Sequence, residues 1–275
     1  MSIHNMTGKR VLVTGAGTGI GRGIALAFAR EGAAVAVHYS HSSSGADDTV
    51  REIVAAGGRA AAFQADFAQV APLQSMACAA MDFLGGLDVL VNSAGITMNR
   101  VISQTTVEQF DTLYAVNVRA PYFLTQALIP ELEKSRGVII NISSIHAYEG
   151  YTDHSVYAGT RGAIVAFTRQ LAIELAPRGV RVTGIAPGSV QVENKVKMGG
   201  ADADWEGQGR GIPAGFVAVP QDIGAVAVFL ASPGGRYIVG QTLVVDGGTT
   251  SWMPFGEQFK APTSSQFGKG YVPGI

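Results

Sequence analysis

Short apolar segments alternate with longer segments of helical periodicity, and this alternation limits the possible folds more than any other feature of the chain. The apolar segments are near-continuous runs of valine, isoleucine, leucine and alanine, a pattern typical of strands with both faces covered. Alternating strands and helices joined by right-handed crossovers form a parallel sheet. The sequence therefore predicts an α/β fold, a doubly wound parallel sheet of about seven strands with helices on both faces, in one domain over residues 1–275. The predicted strands are Arg10–Thr14, Ala34–His38, Ala60–Gln64, Leu87–Asn92, Gly137–Ser143, Val180–Ala186 and Gln241–Asp246, and the predicted helices are Gly19–Glu31, Gly45–Ala56, Ala71–Leu84, Thr106–Glu133, Tyr157–Ala176 and Gln221–Ala231.

The composition agrees with this fold and argues against several classes of function. Apolar residues make up 47% of the 275 residues and charged residues 15%, which indicates a large core and extensive contacts between subunits. The net charge of -1 and the lack of a basic run argue against nucleic acid or an anionic membrane as a partner. The sequence has no run of apolar residues as long as a signal peptide or a membrane span, and its one cysteine, Cys78, cannot form an intramolecular disulfide. We expect a cytoplasmic protein with no metal site.

Two segments depart from the alternation of strands and helices. Residues 189–219 are rich in glycine, alanine and polar residues and lack a clean period. They are predicted to form a lid over the substrate, with an ordinary long loop as the alternative. Residues 249–275 follow the last predicted strand and contain several prolines and aromatic residues. This tail is predicted either to fray or to dock on a neighbouring subunit.

A glycine-rich turn lies between the first predicted strand and the first predicted helix. It reads Thr14-Gly15-Ala16-Gly17-Thr18-Gly19-Ile20-Gly21. Glycines let the backbone turn sharply and approach a pyrophosphate, and the helix N-terminus offers free N–H groups to the phosphates. This turn in this position predicts a dinucleotide-binding sheet of the Rossmann type.

The end of the second predicted strand bears on the choice between NAD and NADP. An acidic side chain at this point binds the ribose 2′-hydroxyl in NAD-selective sites. The segment Tyr39-Ser40-His41-Ser42 has none, and the first acidic residue is Asp47. Hydroxyls and imidazoles can instead receive a 2′-phosphate, although no Arg or Lys is present to pair with it. We predict NADP(H) or NAD(H), with a slight preference for NADP(H).

Further motifs follow the glycine turn in a fixed order. They are Asp66-Phe67, Asn92-Ser93-Ala94-Gly95, Asn117, Ser144 thirteen residues before Tyr157, Pro187-Gly188 after the sixth predicted strand, and Tyr237-Ile238-Val239-Gly240 before Val245-Asp246-Gly247-Gly248. In this order and at this spacing, residues 8–248 resemble the short-chain dehydrogenase/reductase family of classical type. The cofactor-binding residues that the resemblance implies, with the segment after the second strand, are Gly15, Gly17, Thr18, Gly19, Ile20, Gly21, Tyr39, Ser40, His41, Ser42, Asp66, Phe67, Asn92, Ala94, Gly95, Tyr157, Arg161, Pro187, Gly188 and Val190.

The resemblance also implies catalytic roles. Hydride transfer to a carbonyl carbon places negative charge on the oxygen, so the site needs a proton donor and a stabiliser of that charge. Tyr157 is implied as the acid in reduction and the base in oxidation. Ser144 is implied to hydrogen-bond the substrate oxygen, and Asn117 to hold a water or the backbone behind the site.

One position departs from the family pattern. The family has a lysine four residues after the tyrosine, which supplies a cation and binds the nicotinamide ribose, whereas this chain has Arg161. Four residues are about one helical turn, so Arg161 is expected on the same face as Tyr157. Arginine keeps the positive charge but cannot pass on a proton as lysine can. The exchange therefore predicts either slower turnover or a pocket that has been reshaped around the arginine.

Two other functions stay open at this point. The set Ser144, Tyr157 and Arg161 also resembles the halohydrin dehalogenases, relatives that expel halide without a nucleotide. Those enzymes carry an aromatic residue where this chain has Gly19. The loss of the lysine also suits a relative that binds nucleotide without catalysis.

The substrate prediction rests on the segment between Ser144 and Tyr157 and on the predicted lid. These segments are rich in side chains that can bind hydroxyl groups, and a buried hydroxyl without a partner is costly. Residues 143–147 and the tail resemble sugar dehydrogenases that oxidise aldoses at C1. However, Thr97 stands where some glucose dehydrogenases have glutamate. Other ketone and 3-oxoacyl reductases stay open, and the family resemblance implies a homotetramer. The predicted substrate-binding residues are His146, Glu149, Tyr151, His154, Glu193 and Asn194.

Overall fold

The computed structural model describes residues 4–192 and 204–252, whose strands form one seven-stranded sheet. Every pair of neighbouring strands is parallel, and their order across the sheet is β3-β2-β1-β4-β5-β6-β7. The strands are β1 (Arg10–Val13), β2 (Ala34–Tyr39), β3 (Arg59–Gln64), β4 (Val89–Asn92), β5 (Val138–Ile142), β6 (Arg181–Pro187) and β7 (Thr242–Val245). The predicted fold is confirmed.

Eight α-helices lie among the described residues. They are α1 (Gly19–Arg30), α2 (Ser43–Ala55), α3 (Val70–Leu84), α4 (Val107–Tyr114), α5 (Ala120–Ser135), α6 (Ser155–Leu175), α7 (Trp205–Gly209) and α8 (Pro220–Ala231). The long helix predicted over Thr106–Glu133 is not one regular α-helix, because a π-helical turn over Ala115–Arg119 separates α4 from α5. None of the helices in the described part of the chain is long and apolar enough to span a membrane.

The sheet separates two apolar cores, and the alternation along each strand assigns side chains to them. In β1, Val11 and Val13 face the core that contains α1 and α8, whereas Leu12 faces the core that contains α3, α5 and α6. All three side chains are fully buried. A strand that buries both faces reads as a continuous apolar run, which is why these strands were recognisable in the sequence.

Helices α1 and α8 pack closely through glycines. A β-carbon on Gly23 of α1 would lie 2.6 Å from the carbonyl oxygen of Pro220, and one on Gly224 of α8 would lie 2.8 Å from the carbonyl oxygen of Gly23. Both distances are shorter than any normal contact of a β-carbon. Glycine at both positions therefore lets the two backbones touch.

The two ends of the predicted lid are joined. Val190 forms a parallel bridge with Ala218, and the amide of Gln191 donates to the Ala218 carbonyl at 2.8 Å. Residues 193–203 of the predicted lid, which include Glu193 and Asn194, and residues 253–275 of the predicted tail lie outside the described residues.

Candidate active site

The candidate site lies at the carboxyl ends of β1, β4 and β5. The strand order reverses between β1 and β4, and in doubly wound sheets the crevice at this reversal is where ligands bind. The glycine turn, the segment after Asn92 and Ser144 all follow strands that end here. The sheet topology therefore brings together motifs that are far apart in the sequence.

The glycine turn has the backbone that its sequence predicts. Gly15 and Gly19 have φ angles of +64° and +54°, a region that favours glycine. A β-carbon on Gly21 would overlap the carbonyl of Gly15, and one on Gly17 would lie 3.0 Å from the Ser42 carbonyl oxygen. No acidic side chain occupies the first turn of α1, so nothing there opposes the positive end of the helix dipole. The turn can receive a diphosphate through its amides.

Two buried side chains hold the entry to this turn. Thr14 Oγ1 accepts hydrogen bonds from the amides of Ser93 and Ala94, both at 2.9 Å, and so joins β1 to the segment after β4. On the other side, His38 Nδ1 accepts from the amide of Gly15 at 3.1 Å, and its Nε2 lies 3.1 Å from the Ala65 carbonyl oxygen. Burial lowers the pKa of His38 to about 4, which keeps the imidazole neutral.

The predicted adenine-binding pair follows β3. Asp66 accepts the amide of Ala68 at 2.9 Å through Oδ1. The ring of Phe67 is 3% exposed and stacks on the His38 imidazole, with 4.0 Å between ring centroids. Beside this pair, Tyr39 and Ser40 are partly exposed and His41 and Ser42 are exposed at the end of β2, where no acidic side chain occurs.

The side chain of Asn92 forms buried hydrogen bonds that its motif did not predict. Its side chain is 5% exposed and donates to Asn141 Oδ1 at 2.9 Å and to Thr125 Oγ1 at 3.2 Å. Asn141 in turn donates to Thr168 Oγ1 at 2.9 Å. This buried network links β4, β5, α5 and α6 behind the site, and Asn141, Thr125 and Thr168 were absent from the sequence prediction. Ala94 and Gly95 follow in the loop, where a β-carbon on Gly15 would lie 2.8 Å from Ala94 Cα.

Asn117 lies in the π-helical turn, where its fully buried amide holds the loop after β4. Its Oδ1 accepts the amide of Ile96, and its Nδ2 donates to the Ile96 carbonyl, both at 2.9 Å. Nδ2 also lies 3.1 Å from Thr160 Oγ1, which donates to the Tyr157 carbonyl at 2.7 Å. Thr160, which the sequence analysis missed, thus connects Asn117 to the first turns of α6.

Ser144 and Ser143 continue β5 and have different partners. Ser144 Oγ accepts the amide of His146 at 3.2 Å, and the side chain is 7% exposed. Ser143 Oγ donates to the Arg161 carbonyl at 2.8 Å and joins the end of β5 to α6. This bond holds the segment of Ser144 beside the helix that carries Tyr157.

Arg161 lies one helical turn after Tyr157, as its spacing predicts. Its side chain is 7% exposed, its Cζ lies 4.9 Å from the centre of the Tyr157 ring, and its Nη1 donates to the Ile142 carbonyl at 3.1 Å. A β-carbon on Gly95 would overlap Nη2, so glycine at 95 makes room for the guanidinium. Within residues 4–192 and 204–252, Nε has no hydrogen-bond partner.

Two imidazoles lie next to the Tyr157 ring, and a second phenol lies next to both imidazoles. The rings of His146 and His154 lie 5.8 and 6.1 Å from the Tyr157 ring, and those of His146 and His154 stack at 4.9 Å. Tyr151 contacts both imidazoles and is 69% exposed, and Glu149 is exposed. Four of the six predicted substrate residues therefore lie on the loop next to Tyr157, and Glu193 and Asn194 are the two outside the described residues.

The last predicted cofactor segment follows β6. Pro187 pairs with Val245 of β7, and a β-carbon on Gly188 would lie 2.7 Å from Asp246 Cβ. Val190 is 3% exposed and belongs to the core on the α1 side. Glycine at 188 thus permits the close approach of the segments after β6 and β7.

The residues present fit a dinucleotide cofactor. The glycine turn lies at the N-terminus of α1, and Nε of the buried Arg161 guanidinium has no hydrogen-bond partner among residues 4–192 and 204–252. A buried charged donor without an acceptor is costly, and the hydroxyls and phosphates of a nucleotide are acceptors. By fold and site, the chain belongs to the class of Rossmann-type dinucleotide-binding proteins.

Comparisons with known proteins identify the family. A family model described as enoyl-(acyl carrier protein) reductase matches residues 15–250. An uncharacterized oxidoreductase of Methylorubrum extorquens is 41% identical, covering 90% of this chain and 99% of that protein. The 3beta-hydroxysteroid dehydrogenase 1 of Eggerthella lenta is 36% identical, covering 97% and 99%. A structure of a putative NAD(P)-dependent gluconate 5-dehydrogenase from Beutenbergia cavernae with bound NADP has a TM-score of 0.84 at 34% identity, covering 91% and 100%.

The chain belongs to the short-chain dehydrogenase/reductase family and is an NAD(P)-dependent oxidoreductase. The resemblance seen in the sequence is confirmed at this level. The comparisons do not favour the halohydrin dehalogenase or the relative without catalysis.

Proposed function

We propose that the chain transfers hydride between NAD(P) and an alcohol or carbonyl substrate at a site formed by Ser144, Tyr157 and Arg161. The observation that carries this proposal is the buried Arg161 guanidinium, which faces the Tyr157 ring at 4.9 Å and packs on Gly95 of the loop after β4. When bound, the nicotinamide supplies or accepts the hydride. All other steps fall to side chains of the chain itself.

Tyr157 moves the proton in this proposal. Its hydroxyl donates to the carbonyl oxygen in reduction and accepts the hydroxyl proton in oxidation. Arg161, held by the Ile142 carbonyl, places a permanent positive charge next to the ring and stabilises negative charge that develops on the phenolic oxygen. The arginine thus supplies the charge of the lysine that the family carries, without acting as a proton carrier.

Ser144 and Asn117 position the reacting groups. Ser144 Oγ already accepts a hydrogen bond from the His146 amide, so its hydrogen is left to donate to the substrate oxygen. The Asn117 amide is bonded on both sides to Ile96. We assign it the role of holding the backbone, one of the two roles that the family pattern implies.

The substrate is proposed to be a sugar or another polyhydroxylated compound. The support is the loop between Ser144 and Tyr157, where two imidazoles and two carboxylates can bind hydroxyls, and the name of the Beutenbergia cavernae neighbour. A second candidate, a ring-bearing alcohol or ketone, is favoured by the two imidazole rings next to Tyr157 and by the name of the Eggerthella lenta relative.

The cofactor is proposed to be NADP(H) with some use of NAD(H). The end of β2 has no acidic side chain to repel a 2′-phosphate, and the Beutenbergia cavernae structure holds NADP. Thermal unfolding with each of the four nucleotides tests this, because a ligand that binds the native state raises its apparent stability. We expect the largest shift with NADPH or NADP⁺, and no shift with any nucleotide would overturn the proposal.

Tyr157→Phe tests the catalytic assignment. We expect the nucleotide-induced shift to be kept and hydride transfer, followed by nicotinamide absorbance, to fall by about 10²–10⁴-fold, the usual contribution of a proton-transfer group. Tyr237→Phe is the matched control, because that side chain is 97% exposed, and it should leave both unchanged. Screening polyols against cyclic alcohols with the wild-type protein then separates the two substrate classes by kcat/KM.

A further inference from the structure

His38 is a buried polar side chain that touches two segments around the proposed nucleotide site, the glycine turn and the loop after β3, and the proposed mechanism gives it no part. Its imidazole is 1% exposed, although it stands at the end of β2 next to the exposed residues that bear on cofactor choice. In β2, His38 has the same parity as Ala36 and points to the core that contains α3. Period-two alternation in a strand covered on both faces is the sequence signal that indicates this orientation.

The hydrogen bonds of His38 define one tautomer. The amide of Gly15 can only donate, so Nδ1 at 3.1 Å must be the acceptor. The carbonyl of Ala65 can only accept, so Nε2 at 3.1 Å must carry the hydrogen. Both bonds form together only in the neutral imidazole with its hydrogen on Nε2, which agrees with the lowered pKa.

These bonds connect the two halves of a nucleotide site. Gly15 begins the glycine turn, and its α-carbon is confined on the other side by Ala94. Ala65 precedes Asp66, and the stacked ring of Phe67 holds the same loop from below. The imidazole therefore sets the distance between the diphosphate side and the adenine side of the site.

We propose that His38 is a positioning residue for the cofactor, which fixes the Gly15 turn through Nδ1 and the Ala65–Phe67 loop through Nε2. It touches no reacting atom and acts on cofactor affinity rather than on the chemical step. This inference rests on the proposed nucleotide site and goes beyond it by naming a residue outside the family motifs. A residue that serves stability alone would weaken the fold without changing the affinity of the folded protein.

His38→Phe removes both hydrogen bonds and keeps a ring for stacking on Phe67. Measured by titration with NADPH at a temperature where the variant is folded, its Kd should rise about tenfold or more, the effect of roughly one lost hydrogen bond to a buried amide. The kcat at saturating cofactor should stay within about twofold, since binding and chemistry separate in this way when only affinity is lost. Leu132→Ala, a fully buried change on α5, is the control and should lower stability with an unchanged Kd.

Two polar variants separate the two bonds and decide the matter even if His38→Phe fails to fold. In His38→Asn, the side-chain Oδ1 stands near the place of His38 Nδ1 and can accept from the Gly15 amide. In His38→Gln, the side-chain nitrogen stands near the place of His38 Nε2 and can donate to the Ala65 carbonyl. We expect the NADPH Kd of both variants to lie above that of the wild type. The Kd of His38→Asn should lie closer to the wild-type value than that of His38→Gln, because His38→Asn keeps the hydrogen bond to the glycine turn.

An unchanged Kd in all folded His38 variants would overturn the inference. So would an effect no larger than that of Leu132→Ala. If wild-type protein binds none of the four nucleotides, the proposed function itself fails, and that result is read from the wild type alone.

Discussion

At the scale of single residues, the surroundings of Arg161, which the sequence analysis interpreted as a departure from the family pattern, accommodate an arginine side chain. Arg161 is accommodated by the missing side chain of Gly95 and is held by the Ile142 carbonyl. None of the ion pairs of the described residues includes it, and its Nε has no partner among them. A buried charge held in this way reduces stability and is kept for what it does to a ligand.

Arg161→Met and Arg161→Lys test whether the charge of Arg161 lowers stability while it supports catalysis. The methionine variant should lose about 10²-fold in kcat because the positive charge is gone, while its free energy of unfolding without nucleotide should equal or exceed that of the wild type. The lysine variant keeps a charge and should retain kcat within about tenfold. Urea unfolding and steady-state kinetics measure both. A methionine variant that is less stable and fully active would contradict the assignment.

His38 predicts a pH dependence of stability. Its imidazole bonds to Gly15 and Ala65 and stacks on Phe67, and none of these three residues carries a charged side chain. Burial lowers its pKa from 6.5 to about 4, so below pH 6.5 the unfolded chain binds a proton that the folded chain does not. The stability that this group contributes is present above pH 6.5 and declines as the pH falls towards 4, by about 3 kcal/mol in total.

Urea unfolding at several pH values between 7 and about 4 measures this loss. His38→Asn lacks the titrating group, so its stability should fall less steeply over the same range. Equal slopes for the two proteins would show that other groups cause the acid sensitivity.

At the scale of elements, the sequence predicted the helices and strands well where a single apolar periodicity extends over the whole element. All seven strands were placed because most of them are near-continuous apolar runs that alternate with helical segments. The segment 106–133 was predicted as one helix, since its apolar spacing continues across the π-helical turn. A π turn contains one extra residue, and apolar periodicity over a long window does not detect it.

That extra residue decides where Asn117 points. It turns the amide inward to Ile96 and Thr160, and these contacts could not be predicted from the sequence. The buried network of Asn92, Asn141 and Thr168 was also missed. Its members are distant in sequence, and polar residues within apolar strands show no spacing that would pair them. Neighbouring strands β4 and β5 put two of them side by side, which only the sheet order reveals.

Two helix glycines give a matched prediction at this scale. Gly23→Ala would place a β-carbon 2.6 Å from the Pro220 carbonyl and should lower the free energy of unfolding by about 1–3 kcal/mol through overpacking. Gly162 lies within α6 with nothing within 4 Å of a β-carbon, so Gly162→Ala should raise stability by about 0.5–1 kcal/mol through helix propensity. Denaturant unfolding of the two variants measures both changes in the free energy of unfolding. Equal effects would mean that α1 and α8 do not touch through Gly23.

At the scale of the whole molecule, the homotetramer stays a prediction, as does the cytoplasmic location. Apolar side chains are exposed on three of the helices: Phe110 of α4 is 42% exposed, Tyr122 of α5 47% and Ile173 of α6 69%. Tyr122 also packs on Phe167 of α6, with ring centroids 5.4 Å apart. Such a surface is costly to leave in water over a large area.

Light scattering should therefore give a mass about four times the 28.6 kDa of one chain. Tyr122→Glu should reduce that mass, because a charge would enter the interface without a partner. Val54→Glu is the control, since Val54 is 52% exposed on α2, away from these helices. A wild-type protein that runs as a monomer would refute the prediction.

The glycine contact between α1 and α8 also bears on the order in which the chain folds during synthesis. Gly23 and Gly224 are roughly two hundred residues apart, so α1 emerges from the ribosome long before its packing partner exists. Until then the apolar face of α1, with Ile24 and Phe28, lacks its final cover, and contacts over such a separation form late. We therefore expect α1, which follows the glycine turn, to gain its full packing only after α8 has been synthesised.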